Sequence, residues 1–544
     1  MINHVYRNFP PLKQSHIGLM MATPLSSPFS LTGDAVIDAA TNGYYWQLGA
    51  DRTIRWSLSN GWSGEYWTNP TAAVQQLSVL FSNISYYANV KFQYAGYFQS
   101  PATAATASDI NITFDATNIT KQFANVSSWA FGDFSNAALN SWYPGAPGDI
   151  YVNLNSEAAY LPSYAPGTQG YFLFLHEILH TVGLKHPHDD GGTGRPTFKS
   201  LGWSGLDDDW FTVMSYNDDS SWNIFGWDPA TPMAIDVLAL QYLYGKNTAT
   251  NAGDTTYSLS LTDAYATVWD ASGNDTINVT NSTAGWDIEL PILQPSKLVD
   301  TKVGIAVPLN ELTAGAIHTL YWLTGDIENV WGSAYADRIF GSSGNNYLYG
   351  GGGNDYIDGK GGFDAAGYLG IRSNYTVTKS GTTLTVSDKT GAEGTDTLLN
   401  ISELIFKDVV TTFDSSGLAG EAYRLYQAAF NRKADAAGLG WQISALVKGS
   451  SLLQIAQNFM TSAEFQGLYG KNQSTESFVS HLYNNVLHRV PQQFEIDFWS
   501  NIIDKGNPVH QSTAEVLLSF SESAENQAQV IGSIQNGIDY VYYA

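Results

Sequence analysis

Four of the chain's ten histidines fall within FLHEILHTVGLKHPH, from Phe174 to His188. In HEILH, one helical turn separates His176 from His180, so both imidazoles leave the same face and can share one ion, and neutral imidazole is a good zinc ligand. Glu177, one residue round the helix, reaches a water at the open metal position rather than the metal itself. At Gly183 the helix must stop and turn, because glycine tolerates the left-handed backbone this needs, and His186 then swings back as a third ligand. Three histidines leave a fourth position for water, the arrangement of a catalytic zinc rather than a structural one. His188, beyond Pro187, reads as a solvent-facing bystander. The competing readings are a helix whose histidines are ordinary core residues, and a zinc site that binds without catalysing.

The elements around this stretch read as mixed α and β. Strand-like runs such as TIRWSLS and DINITFD alternate with helical patterns such as TAAVQQLSVLFSNISYYA, and PMAIDVLALQYLY, from Pro232 to Tyr244, has helical spacing and a glycine stop at Gly245. Residues 1 to 25 are polar and proline-punctuated, a leader, pro-segment or ordered arm. WAFGDF, Trp129 to Phe134, reads either as an edge strand able to take an extended peptide, with Trp129, Ala130 and Phe131 as substrate-binding residues, or as a plain core strand.

Beyond Asn247 glycine and aspartate rise and a nine-residue period appears: GSAYADRIF from Gly332, GSSGNNYLY from Gly341, GGGGNDYID from Gly350 and GKGGFDAAG from Gly359. Glycine-rich turns alternating with very short strands build a stacked parallel coil, with Ile339, Leu348 and Ile357 in register inside it. The sixth positions, Asp337, Asn346, Asp355 and Asp364, would face calcium. VWDASGNDTINV from Val268 has the same turn chemistry. Alternating patterns return over 373–414 and would cap the coil. From about Gly420 the texture is helical and duplicated: AYRLYQAAFNR with SAEF echoes SHLYNNVLHR with SAEN, offset by 57 to 61 residues.

Composition bounds these readings. A chain of 544 residues exceeds one core and points to three or four domains. The net charge of −25 argues against nucleic acid or an anionic membrane as partner. Aspartate outnumbers glutamate 35 to 15, which suits calcium turns better than helix faces. The absence of cysteine excludes disulfides, thiolate zinc sites and cysteine nucleophiles. No apolar run approaches a membrane span, and IGLMMATPL is short and broken by Pro24. That pattern fits a cytoplasmic protein or one exported without a cleaved leader.

His176-Glu177-x-x-His180-x-x-Gly183-x-x-His186 followed by VMSY at 213–216 resembles the metzincin zinc endopeptidases. With His186-Pro187, Met214-Ser215-Tyr216 and the nonapeptides, it resembles the serralysins, secreted calcium-dependent bacterial proteases, over about residues 25 to 410. The resemblance implies a multidomain chain: a leader or pro-segment (1–25), an α+β metzincin protease domain (26–247), a parallel β-roll of calcium-binding repeats (248–372) with a β cap (373–414), and an all-α domain (415–544). It implies one catalytic Zn2+ on His176, His180 and His186, with Glu177 as general base. Met214 would lie beneath the metal, and Tyr216 would be an extra ligand that stabilises the transition state, an ordinary buried tyrosine being the alternative. It implies several structural Ca2+ ions, with Asp337 paired to Asp355, Asn346 to Asp364, and further ligands at Asp270, Asp275, Asp326 and Glu328. Here the chain departs from the pattern twice: GSAYAD lacks the usual glycines, and Asn346 replaces a carboxylate. The function implied is a secreted zinc endopeptidase acting on proteins or peptides, exported by type I secretion. The alternatives are a surface-layer or self-processing protease of narrow specificity, and a non-catalytic calcium-repeat adhesion protein. The helical tail resembles bacterial domains of unknown function in secreted and surface proteins, which would fit attachment to a surface-layer or cell-surface partner.

Overall fold

The structure is a computed structural model that describes residues 22–107, 110–117, 130–132, 134–141, 145–153, 165–217, 229–293, 302–315 and 317–543. Residues 1–21 of the expected leader and Trp129 lie outside them. The chain divides into two compact units, Met1–Asn329 and Val330–Ala544.

The first unit is built on a five-stranded sheet of β1 (Thr53–Ser59), β2 (Lys91–Phe98), β3 (Ile112–Thr117), β4 (Ala130–Gly132) and β5 (Ile150–Asn153), in the order β2-β1-β3-β5-β4. Neighbours are parallel except at the edge, where β4 runs antiparallel to β5. β1 and β3 are buried along nearly their whole length, as central strands covered on both faces must be. Helix α1 (Pro70–Tyr87) begins at Asn69, whose side chain accepts from Ala72 N, and buries Leu77, Leu80, Phe81 and Ile84. Phe81 stacks on Phe92 with ring centroids 4.5 Å apart. Thr23–Pro24 pair with Trp46–Gln47, and Asn111 Nδ2 donates to Ala22 O, so the chain from residue 22 is already part of this unit. The core continues through α2 (Gln169–Thr181) and α3 (Ala234–Tyr244). Strands β6 (Tyr265–Asp270), β7 (Trp286–Leu293), β8 (Lys302–Pro308) and β9 (Leu320–Gly325) follow, with β9 parallel to β6.

In the second unit the nonapeptides form β10 (Arg338–Phe340), β11 (Tyr347–Tyr349), β12 (Tyr356–Asp358) and β13 (Ala365–Gly367). β10 pairs in parallel with β12 and β11 with β13, so each turn stacks on the turn two repeats away. Ile339, Leu348, Ile357 and Ala366 fill the interior. The hairpin β14 (Tyr375–Ser380) and β15 (Thr383–Asp388) then leaves the coil. β16 (Thr395–Leu399) pairs with β15 and rejoins the coil beside β12, while β17 (Glu403–Ile405) lies beside β13. β18 (Val410–Thr412) follows antiparallel to β17.

The helical segment starts with α4 (Leu418–Phe430), which is buried along most of its length. Its duplication is visible in single contacts. Asn431 and His488 both hold positive φ, Arg432 bridges Glu464 at 2.7 Å, and Arg489 bridges Glu525 at 2.7 Å. These partners recur at the offsets read from the sequence. The segment closes with β19 (Ile538–Tyr540), antiparallel to β18. No helix among the described residues is long and apolar enough to cross a membrane.

Candidate metal centre

Helix α2 carries His176, Glu177 and His180, all buried, because its face from Phe174 to Thr181 packs into the core. Thr168 caps its start by accepting from Tyr171 N. At its end Trp46 Nε1 donates to Thr181 O at 2.9 Å and Tyr244 Oη donates to Val182 O at 2.8 Å, so the buried carbonyls are not left bare. Gly183 follows at φ 112°, and the chain doubles back to His186.

Each imidazole of the expected set is oriented by its Nδ1. His176 donates to Val213 O at 2.8 Å, His180 to Leu184 O at 3.0 Å and His186 to Asp189 Oδ2 at 2.6 Å. Those donations fix the tautomer and leave three Nε2 lone pairs pointing together. His186 Nε2 lies 3.2 Å from His176 Nε2 and 3.0 Å from His180 Nε2. With every proton committed at Nδ1, such a cluster is repulsive unless a cation sits among the nitrogens. The donor set therefore fits zinc. Burial, then the neighbouring imidazoles, holds His176 down to about 3 and His180 well below its usual range, so both are neutral as ligands must be.

Glu177 Oε2 accepts from Gly132 N at 2.6 Å, which ties the base candidate to edge strand β4. Burial pushes its carboxyl up to about 8, against the opposing Gly132 hydrogen bond. A Cβ at Gly132 would lie 2.5 Å from Glu177 O, so this approach requires glycine. Ala130 and Phe131 stand on β4 opposite Val152 and Tyr151.

Met214 is buried in the turn after Val213. Tyr216 is 67% exposed, with its ring centroid 4.4 Å from that of His186 and 5.5 Å from that of His176. His188 is exposed, as expected, yet its ring stacks on His186 at 5.0 Å and stands 5.0 Å from Tyr216. The sequence reading missed Asp189 and Gly132, which hold His186 and Glu177. Asp189 alone had a local signal, a carboxylate three residues after a ligand.

The calcium candidates form three groups. In the first unit Asp275 N donates to Glu328 Oε2 at 2.8 Å, and Asp270 Oδ1 and Asp275 Oδ2 are buried without a hydrogen-bond partner. Burial, with Asp270 as a neighbouring charge, pushes Asp275 up to about 7. Asp326 is exposed, its charge helping to raise Glu328. In the coil Asp337 N donates to Asp355 Oδ1 at 2.9 Å and Asn346 N to Asp364 Oδ1 at 2.9 Å, the two pairings expected. In each pair the second carboxylate keeps a buried, unpartnered oxygen, Asp355 Oδ2 and Asp364 Oδ2. Orphaned carboxylate oxygens are what a calcium ion would satisfy. Among the described residues, no three carboxylates converge as closely as the imidazoles.

The ladder has a further step that the repeat count did not reveal. Asp355 N donates to Asp396 Oδ1 at 3.0 Å, and Thr395 N to Asn354 Oδ1 at 2.8 Å, as Phe363 N does to Asn345 Oδ1 at 2.8 Å. Gly391–Leu399 is thus a fifth turn and strand restored to register after the hairpin. Its Asp396 Oδ2 accepts from Tyr368 Oη at 3.0 Å, so no orphaned oxygen remains there.

Two segments of the chain match family models. Residues 331–365 match the RTX calcium-binding nonapeptide repeat, and residues 456–530 match a domain of unknown function, DUF4214. Serralysin G of Dickeya chrysanthemi is 31% identical over 226 residues, 37% of this chain and 46% of its own length. The metallopeptidase AprA of Pseudomonas marginalis is 32% identical over 35% of this chain and 46% of its own. The serralysin of Proteus mirabilis is 35% identical over 21% and 26%. The chain is thus similar to serralysins over about a third of its length and matches the RTX repeat in a separate segment. It spans less than half the length of these curated relatives.

Proposed function

We propose that this serralysin relative is a secreted, calcium-stabilised zinc endopeptidase, with a metzincin protease domain followed by a calcium-binding β-roll. The observation that carries the reading is the set of three Nε2 atoms converging beside buried Glu177, each imidazole fixed by an Nδ1 donation. Zinc held by His176, His180 and His186 would supply a Lewis acid and an acidified water. Glu177 in its carboxylate form, which the Gly132 N–H donation favours against burial, takes the proton of the attacking water and returns it to the leaving amine. The Tyr216 hydroxyl donates to the developing oxyanion. Edge strand β4 offers its backbone to an extended substrate, aligning the scissile bond near Glu177. Calcium held by the coil carboxylates would couple folding to the high calcium found outside cells, which would favour export unfolded through type I secretion.

The test is cleavage of casein by the calcium- and zinc-loaded wild type beside Glu177→Ala. Cleavage that falls by about 10²–10⁴-fold in the variant supports the reading. A wild type carrying one zinc per chain that cuts neither casein nor short peptides would overturn the general endopeptidase reading and leave the narrow-specificity protease and the adhesion protein as the alternatives.

A further inference from the structure

One buried carboxylate near the centre has no place in the chemistry above. Asp236 is fully buried near the start of α3, where its Oδ2 accepts from Met233 N at 2.9 Å and from Val213 N at 2.8 Å. The helix N-terminus makes burial of this charge tolerable. Its Oδ1 accepts from Thr212 Oγ1 at 2.6 Å, and Thr212 Oγ1 in turn accepts from Met214 N at 3.1 Å. That N–H belongs to the same peptide group as Val213 O, the acceptor of His176 Nδ1–H at 2.8 Å. The bonds form one line: imidazole N–H to carbonyl, amide N–H to hydroxyl, hydroxyl to carboxylate. Thr212, Val213 and Met214 are all buried, so water does not compete at any link.

Resting on the zinc-centre reading, we propose that Asp236 and Thr212 are positioning residues for the ligand His176, acting through the Val213–Met214 peptide. Each donation in the line polarises the next, so the carboxylate makes Val213 O a stronger acceptor and His176 a more basic, correctly oriented ligand. The device does for His176 what Asp189 does directly for His186. It also gives the turn under the metal a task beyond packing Met214.

The experiment compares Thr212→Val with Thr212→Ser in the full, calcium-loaded chain. Valine keeps the branched shape but removes the hydroxyl, while serine keeps the hydroxyl. The zinc dissociation constant, read by competition with a chromophoric chelator, should rise about 10- to 100-fold in the valine variant and stay near wild type in the serine variant. The visible spectrum of the cobalt-substituted valine variant should shift as well. On peptide substrates kcat should fall with KM unchanged. A Thr212→Val chain with native near-ultraviolet circular dichroism and wild-type zinc affinity would overturn the proposal. Should that variant not fold, hydrogen exchange decides: slow exchange of His176 Nδ1–H in the unmodified zinc-loaded chain supports the relay, and fast exchange overturns it. Weakened zinc binding in the variant of a wild type that cuts nothing would sustain the relay while the endopeptidase reading fell.

Discussion

At Gly183 the backbone holds φ 112°, and a Cβ there would lie 2.4 Å from Tyr44 O. Both facts exclude a side chain, the first because L-residues avoid that region and the second because the obstacle is backbone. Gly183→Ala should therefore cost about 1–3 kcal/mol from the dihedral alone, and more from the displaced contact, measured by urea unfolding of the calcium-loaded chain. Because His186 follows within one turn, zinc affinity should drop in parallel, and an alanine variant with wild-type stability and zinc content would sink the argument. The three converging imidazoles and this glycine were legible in the sequence because their geometry is local: one helical turn, one stop, one return. Asp236 and Thr212 were not, since their link to His176 spans sequence separations of 24 and 37 residues that no periodicity encodes. Gly132 and Glu177 meet across 45 residues in the same way.

Among the elements, the coil is the clearest case of structure written as a period, and also of where a period misleads. Four consecutive nonapeptides announced β10 to β13, but the turn at Gly391–Asp396 was hidden by the intervening hairpin, which breaks the nine-residue count without breaking the stack. The carboxylates the coil brings together have a pH signature. Burial, resisted by the Asp337 N–H and reinforced by Asp396, pushes Asp355 up to about 8, and burial pushes Asp364 up to about 6. In the unfolded chain both titrate near 4, so between about pH 4 and these values the calcium-free folded coil binds more protons than the unfolded chain. Its stability must then fall as pH rises through that window. Thermal unfolding in excess chelator should show the second unit losing stability from about pH 4 to about pH 8, with calcium reversing the loss. Calcium binding near neutral pH should release protons into a weak buffer. Calcium-free stability that rises over this range, or binding without proton release, would contradict the assigned carboxylates.

Over the molecule as a whole, the sequence marked its regions by texture: mixed α and β, then glycine and aspartate, then duplicated helices. Texture did not show that the helical region ends as a strand. Ile538–Tyr540 leaves the helices and pairs with β18, so the segment read as wholly α adds an edge strand to the sheet that runs from coil strands β11 and β13 through β17 and β18. Three residues at the end of a helical run carry too little pattern to be read as a strand, and their register comes from the partner edge. The attachment is specific. Thr411 Oγ1 donates to Asp539 Oδ1 at 2.6 Å, Tyr540 Oη donates to Glu403 Oε1 at 2.8 Å, and Ile538 and Tyr540 are both buried. Next to the strand, Val541 N donates to Ala436 O at 2.9 Å, and Gly440 gives the backbone room, since a Cβ there would lie 1.9 Å from Val541 O. The strand thus holds a coil-side sheet on one edge and a helix on the other. Ile538→Ala removes a buried side chain from this joint and should cost about 2–5 kcal/mol. The loss should appear as a single lowered transition of the calcium-loaded second unit, because coil cap and helices share the strand. If calorimetry shows the calcium-dependent transition unchanged while a separate helical transition falls, the strand is a local clasp and the two parts fold independently.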